Sequence, residues 1–190
     1  MSPALVNPKP LVEENAREPL ALGEVYRRHA RDVGRWAARL GGPGADVEDV
    51  VQEVFLAAHR KLAGFRGDST LSTWLYRITE NVVRHRRRKD RWRRWLGGSA
   101  IDVAEGMPAP GPTPAESMHE RQATERMYRV LDAMKERYRT VLILFELEEL
   151  SGEEIAALTG AKVGTVWVWL HRARADFAKR LDELEQKELP

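Results

Sequence analysis

Apolar residues along this chain recur in steps of three and four, and the positions between them are largely charged. From Leu22, the series Val25, Tyr26, His29, Val33, Trp36, Ala37 and Leu40 marks one face of a helix. Gly41, Gly42, Pro43 and Gly44 stop it. A second helix is predicted with Val47, Val50, Val51, Val54, Phe55 and Ala58 on one stripe, and Asp46 stands where a side chain can cap its first amides. After a loop over residues 64–70, Leu71, Trp74, Leu75, Ile78 and Val82 give a third helix that runs into a basic tail. Further on, Met127, Val130, Leu131 and Met134 share a face, and an apolar helix spans about 136–147. Strands would need alternation with a period of two, and no segment shows it.

The last segment is the most sharply punctuated. Ser151 followed by Glu154 fits a capping box, so a short helix over 152–159 begins there. Gly160 supplies a tight stop, and a longer helix follows from Val163 to about residue 184. Short helix, glycine turn and longer helix outline a helix-turn-helix. Ala156, Gly160 and Val166 fall where that motif needs a small residue at the helix crossing, a turn glycine and a buried aliphatic.

Between the two periodic halves, residues 97–117 hold four glycines and four prolines, a linker composition. The expected architecture is all-α: two small helical domains joined by a flexible linker, the second containing the helix-turn-helix. The predicted divisions are a flexible arm over 1–19, a first domain over 20–96, the linker over 97–117, a second domain over 118–184 and a tail over 185–190.

At 190 residues, with 43% hydrophobic and 32% charged side chains, the composition is that of a globular chain. A formal charge of +2 excludes a uniformly basic coat, so the distribution of charge matters more than its sum. Cysteine is absent, which removes disulfides and thiolate metal sites and fits a reducing cytoplasm. The longest apolar run, Val141 to Phe145, cannot span a bilayer, and the first twenty residues carry charge where a signal peptide needs an apolar stretch. A cytoplasmic protein without membrane insertion is expected.

The most one-sided segment is 84–95, in which Arg84, Arg86, Arg87, Arg88, Lys89, Arg91, Arg93 and Arg94 stand against Asp90 alone. Phosphates neutralise such a density, and counterion release then supplies salt-sensitive affinity. A solvated helix end is the bland alternative, and the run by itself does not separate DNA from RNA or acidic lipid. Trp92 and Trp95 add planar surface for bases or for the core.

The second helix has an acidic face of Asp46, Glu48, Asp49, Gln52 and Glu53. The helix dipole explains Asp46, Glu48 and Asp49, but explains Gln52 and Glu53 less well. A docking surface for a basic partner competes evenly with that explanation. One helix face cannot enclose a metal, and no histidine stands near it in sequence. The five histidines lack metal-binding spacing, and there is neither a phosphate-cradling glycine loop nor a nucleophile motif. No catalysis, cofactor or metal is expected. His29, on an apolar stripe, is expected to be a partly buried structural residue, and Trp36 and Trp74 to be core.

These segments together resemble the bacterial extracytoplasmic-function sigma factors, a group of the sigma-70 family. DVEDVVQEVFLAAHRKL (46–62), FRGDSTLSTWLYRITENVV (65–83) and the basic run resemble region 2, and LSGEEIAALTGAKVGTVWVWLHRARADF (150–177) resembles region 4. The resemblance implies that Asp46, Asp49, Gln52 and Glu53 dock on the clamp helices of core RNA polymerase. It implies that Phe65, Arg66, Asp68, Ser69 and Ser72 capture an unstacked base of the minus-10 element, and that Asn81, Arg84, Arg86, Arg87 and Arg88 hold the opened strand. Base flipping costs a few kcal/mol, which a pocket with nearby cations offsets. Promoter DNA, core polymerase and an anti-sigma factor are the implied partners, the last by family analogy alone.

The resemblance breaks at Trp167, Val168 and Trp169, where the family commonly carries polar or basic residues that read base edges. Packing on sugar or thymine methyls, burial against an inhibitor and closure of the domain core all stay open for these tryptophans. Contacts to the minus-35 element then fall to Lys162, Thr165, His171, Arg172 and Arg174, with Trp169 alongside. Competing readings are a helix-turn-helix regulator that works without being a polymerase subunit, and an RNA-binding or membrane-surface protein that uses the basic run. The latter leaves the helix-turn-helix unexplained.

Overall fold

The structure, a computed structural model, describes residues 21–96 and 114–188, and every regular element among them is a helix. They run α1 (Leu22–Gly41), α2 (Val47–Leu62), α3 (Leu71–Trp95), α4 (Pro114–Ala133), α5 (Glu136–Glu146), α6 (Gly152–Thr159) and α7 (Val163–Glu188). The arm over 1–19, residues 97–113 of the linker and the last two residues lie outside the described residues. Helix α4 begins at Pro114, four residues earlier than the sequence pattern indicates, because proline is well suited to a first helical turn.

Helices α1, α2 and α3 pack on one another, and α7 receives α4, α5 and α6. The first group closes over Val25, Val33, Trp36, Leu40, Val50, Val54, Phe55, Leu75 and Ile78, all buried as the three-and-four spacing requires. Asp46 caps α2 by accepting from the Asp49 amide at 3.0 Å. Thr70 does the same for α3, its hydroxyl accepting from the Thr73 amide at 3.1 Å.

The second group is built around α5, whose Val141, Leu142, Ile143 and Leu144 are all buried, together with Ile155, Val166, Leu170 and Ala173. Both halves of the capping box are present: the Glu154 amide donates to the Ser151 hydroxyl at 3.2 Å, and the Ser151 amide donates to Glu154 Oε2 at 2.8 Å. Gly160 closes α6 in the left-handed region at φ 73°, which a side chain would oppose.

The two groups also pack against each other, α3 on α6 and α1 on α5. The Tyr128 ring of α4 lies over Gly42 just past α1, and its hydroxyl donates to the Arg39 carbonyl at 2.9 Å. Arg77 of α3 reaches the C-terminal end of α6, donating to the Leu158 carbonyl at 3.1 Å and the Ala157 carbonyl at 3.3 Å. Glu148, its side chain only 3% exposed in the α5–α6 turn, accepts from Arg35 Nε at 2.8 Å and faces Arg39 Nε at 3.6 Å. None of these ties has a local signature in the sequence.

Candidate nucleic-acid and polymerase interface

The acidic face of α2 carries its side chains outward. Asp46, Asp49 and Gln52 are exposed and Glu53 is half-buried. Arg86 of α3 crosses onto this face, donating from Nε to Glu53 Oε2 at 2.8 Å and from Nη2 to the Asp49 carbonyl at 3.3 Å, with Nη1 3.7 Å from Asp49 Oδ2. Arg86 therefore lies among carboxylates, away from the other strand-holding candidates.

The loop before α3 presents Arg66 and Asp68 to solvent, with Ser69 and Ser72 half-buried beside them. Gly67, at φ 77°, turns the chain here. Phe65 packs on Trp74 with ring centroids 5.2 Å apart, so one wall of this loop is aromatic and held by the helix it precedes.

Along α3 the basic residues divide by helical phase. Asn81, Arg84 and Arg88 share one exposed face, and Arg84 donates to the Asn81 side-chain oxygen. Arg87 points the other way and is 11% exposed, with Nη2 2.8 Å from Asp132 and Nη1 2.9 Å from Glu136. Arg139, 1% exposed, stands 3.3 Å from the same Asp132 oxygen, and burial beside Arg87 lowers it to about 10. The expected run of phosphate-binding cations thus contains two that serve other faces, Arg86 and Arg87.

In the helix-turn-helix, Ala156 and Val166 are buried at the α6–α7 crossing. Lys162, just before α7, is exposed, as are His171 and Arg172 on the helix, and Thr165 is half-buried. Arg172 hydrogen-bonds the Tyr138 hydroxyl, which holds that phenol below its ordinary value. Arg174 folds back on α5: both Nε and Nη2 donate to Glu146 Oε1, at 2.9 and 2.7 Å, and the guanidinium covers the Phe145 ring. Trp169 is half-buried against the core, whereas Trp167 packs edge-on against Phe145 and lies over Gly152. Val168 is left exposed. Among the described residues no group of acidic or histidine side chains could hold a metal, and no helix is long and apolar enough to cross a membrane.

A buried helix-turn-helix hinge joined to a three-helix unit with a basic face defines a class of nucleic-acid-binding architecture. Comparison with known proteins narrows it. Residues 25–93 match sigma-70 region 2 and residues 124–177 match sigma-70 region 4. The chain is 36% identical over 154 residues to the ECF RNA polymerase sigma-E factor of Escherichia coli, covering 75% of this chain and 77% of that protein. It is 34% identical over 152 residues to the ECF RNA polymerase sigma factor SigE of Mycolicibacterium smegmatis, covering 80% of this chain but 58% of that protein. Among solved structures, CnrH in complex with the cytosolic domain of CnrY is 26% identical with a TM-score of 0.54, covering 85% of this chain and 88% of that one. The sigma factor RpoE of Bartonella quintana, solved with the anti-sigma factor NepR, shares the fold at 23% identity and a TM-score of 0.57, covering 84% of this chain and 96% of that one. The chain belongs to the ECF sigma factors of the sigma-70 family.

Proposed function

We propose that this protein binds core RNA polymerase and directs promoter-specific initiation, catalysing no reaction itself. The observation that carries the proposal is the ordered pair of matches, region 2 over residues 25–93 and region 4 over 124–177. In this reading Asp46, Asp49, Gln52 and Glu53 meet the polymerase clamp, and the exposure of the first three, with Glu53 half-buried beside them, supports it. A basic partner surface would compete with Arg86 for Glu53. The loop over 65–72 takes an unstacked minus-10 base, and Asn81, Arg84 and Arg88 hold the opened strand. Lys162, Thr165, His171 and Arg172 meet the minus-35 duplex, which Arg174 joins on leaving Glu146. The likeness to CnrH, solved in complex with the cytosolic domain of CnrY, supports a further protein partner, in this reading an anti-sigma factor.

The deciding experiment is transcription by purified core polymerase on a library of genomic fragments, with and without this chain. Defined start sites that depend on the chain are expected. Asp49→Lys combined with Glu53→Lys should abolish co-purification with core while leaving helicity unchanged. Undiminished binding would remove the docking assignment.

A further inference from the structure

The exposed face of α3 changes character along its length. At about 100° per residue, Asn81, Arg84, Arg88, Trp92 and Trp95 fall on one stripe about 80° wide. All five are exposed. At 1.5 Å per residue the stripe is about 21 Å long. Its first part is polar and cationic, and its last part is a pair of indoles.

Those indoles are not core. Trp92 is 60% exposed and Trp95 75% exposed, followed by Leu96 at 63%. Their ring centroids stand 5.3 Å apart and the planes are tilted by 39°, so each offers a face to solvent. Two neighbouring tryptophans left in water forgo a large hydrophobic gain, a pattern that marks a binding surface. The charge around them selects the occupant. Among the described residues no carboxylate pairs with Arg88, Lys89, Arg91 or Arg93, whereas Arg86 and Arg87 are engaged elsewhere. An occupant that suits both features is a polyanion carrying flat, uncovered apolar faces. Single-stranded DNA has both properties, whereas in a duplex each base face is already covered by its neighbours.

We propose that Trp92 and Trp95 form a stacking site for an unpaired base, prolonging the strand-holding stripe of Asn81, Arg84 and Arg88. The proposal rests on the reading of α3 as the strand-holding helix. The match to region 2 ends at residue 93, so Trp92 lies within it and Trp95 beyond it.

The test titrates the full-length chain with a labelled 20-nucleotide oligo-dT and with a duplex of the same length, across a salt series. For Trp92→Ala with Trp95→Ala, single-strand affinity should fall about tenfold with the salt slope unchanged, because stacking is not a counterion effect. Trp92→Phe with Trp95→Phe should keep most of the affinity, since a smaller aromatic face remains. Arg88→Ala should instead flatten the salt slope by about one unit. Wild-type single-strand affinity in the alanine pair, with Arg88→Ala still flattening the slope, would overturn the stacking site and leave the reading of α3 standing. Equal losses on single strand and duplex would overturn it as well. If the wild-type chain bound neither oligonucleotide, or Arg88→Ala changed nothing, the reading of α3 would fail and the stacking site with it.

Discussion

Arg87 of α3 and Asp132 of α4 meet at 2.8 Å, joining a helix that matches region 2 to one whose second half, Asp132 included, lies within the region 4 match. Glu136 takes the other arm of the same guanidinium at 2.9 Å, and Arg139 backs onto Asp132 from within the core. Two cations and two carboxylates thus alternate at the junction of α3, α4 and α5, with Arg87 at 11% exposure as the shared tie. An arginine so placed cannot touch a phosphate unless this junction opens.

Arg87→Ala should therefore act on stability before it acts on DNA. Removing it leaves Asp132 and Glu136 partly desolvated, at a cost of about 2 kcal/mol for charge-assisted hydrogen bonds at a half-exposed site. A lower melting temperature and a larger hydrodynamic radius are expected, with little change in the salt slope of DNA binding. A wild-type melting temperature combined with a flatter slope would show that Arg87 faces DNA in solution.

How far this architecture was legible can be judged from α3. Its apolar stripe, Leu71, Trp74, Leu75, Ile78 and Val82, shows directly in the spacing, and these residues are buried or half-buried. A second stripe, Tyr76, Glu80, Val83 and Arg87, is also withdrawn from solvent, facing the second helical group. It mixes an aromatic, an acid, an aliphatic and a cation, so no hydrophobic period betrays it. Tyr76 is 0% exposed, packs edge-on against Trp36 at 5.4 Å, and has its phenol pushed up by burial. Only tertiary packing reveals such a face. The helix-turn-helix lies at the opposite extreme, since capping and turn chemistry are local, and Gly152–Thr159 is bounded by the residues that cap and stop it. The fate of the recognition-helix tryptophans was not legible, because it depends on Phe145 and Gly152 in other segments.

Ser151→Ala removes the hydroxyl that accepts from the Glu154 amide. Loss of an N-cap of this kind costs about 1 kcal/mol. The loss should concentrate in α6, read as faster amide exchange over residues 152–155, while Ser151→Thr restores most of the protection. Unchanged exchange would mean that tertiary packing alone holds the start of the helix.

Gly152 is a steric constraint. A β-carbon there would lie 2.7 Å from Cζ2 of Trp167, whose ring also leans on Phe145. Gly152→Ala should destabilise by about 1–3 kcal/mol through overpacking. Adding Trp167→Leu should recover a good part of that loss, since the clash is with the indole. Purely additive effects in the double variant would show that Trp167 does not lie over this glycine.

Glu80, on the buried second stripe of α3, gives a pH-dependent prediction. Its carboxyl is held above the usual carboxylate range, first by burial and then by Glu136, against the opposing pull of Arg84, Arg77 and a hydrogen bond with Thr140. The folded chain thus binds this proton more tightly than the unfolded chain, whose carboxyl titrates near 4.3. The sign follows from linkage: the ionised form is disfavoured by folding, so this group's contribution to stability falls as pH rises from that value through the folded one. Glu80→Gln keeps an oxygen for Thr140 and removes the ionisation. The variant should melt above wild type at pH 8, and the gap should narrow steadily as the pH is lowered toward 4. A constant gap across that range would mean that the substitution acts through packing and that burial does not penalise the Glu80 charge.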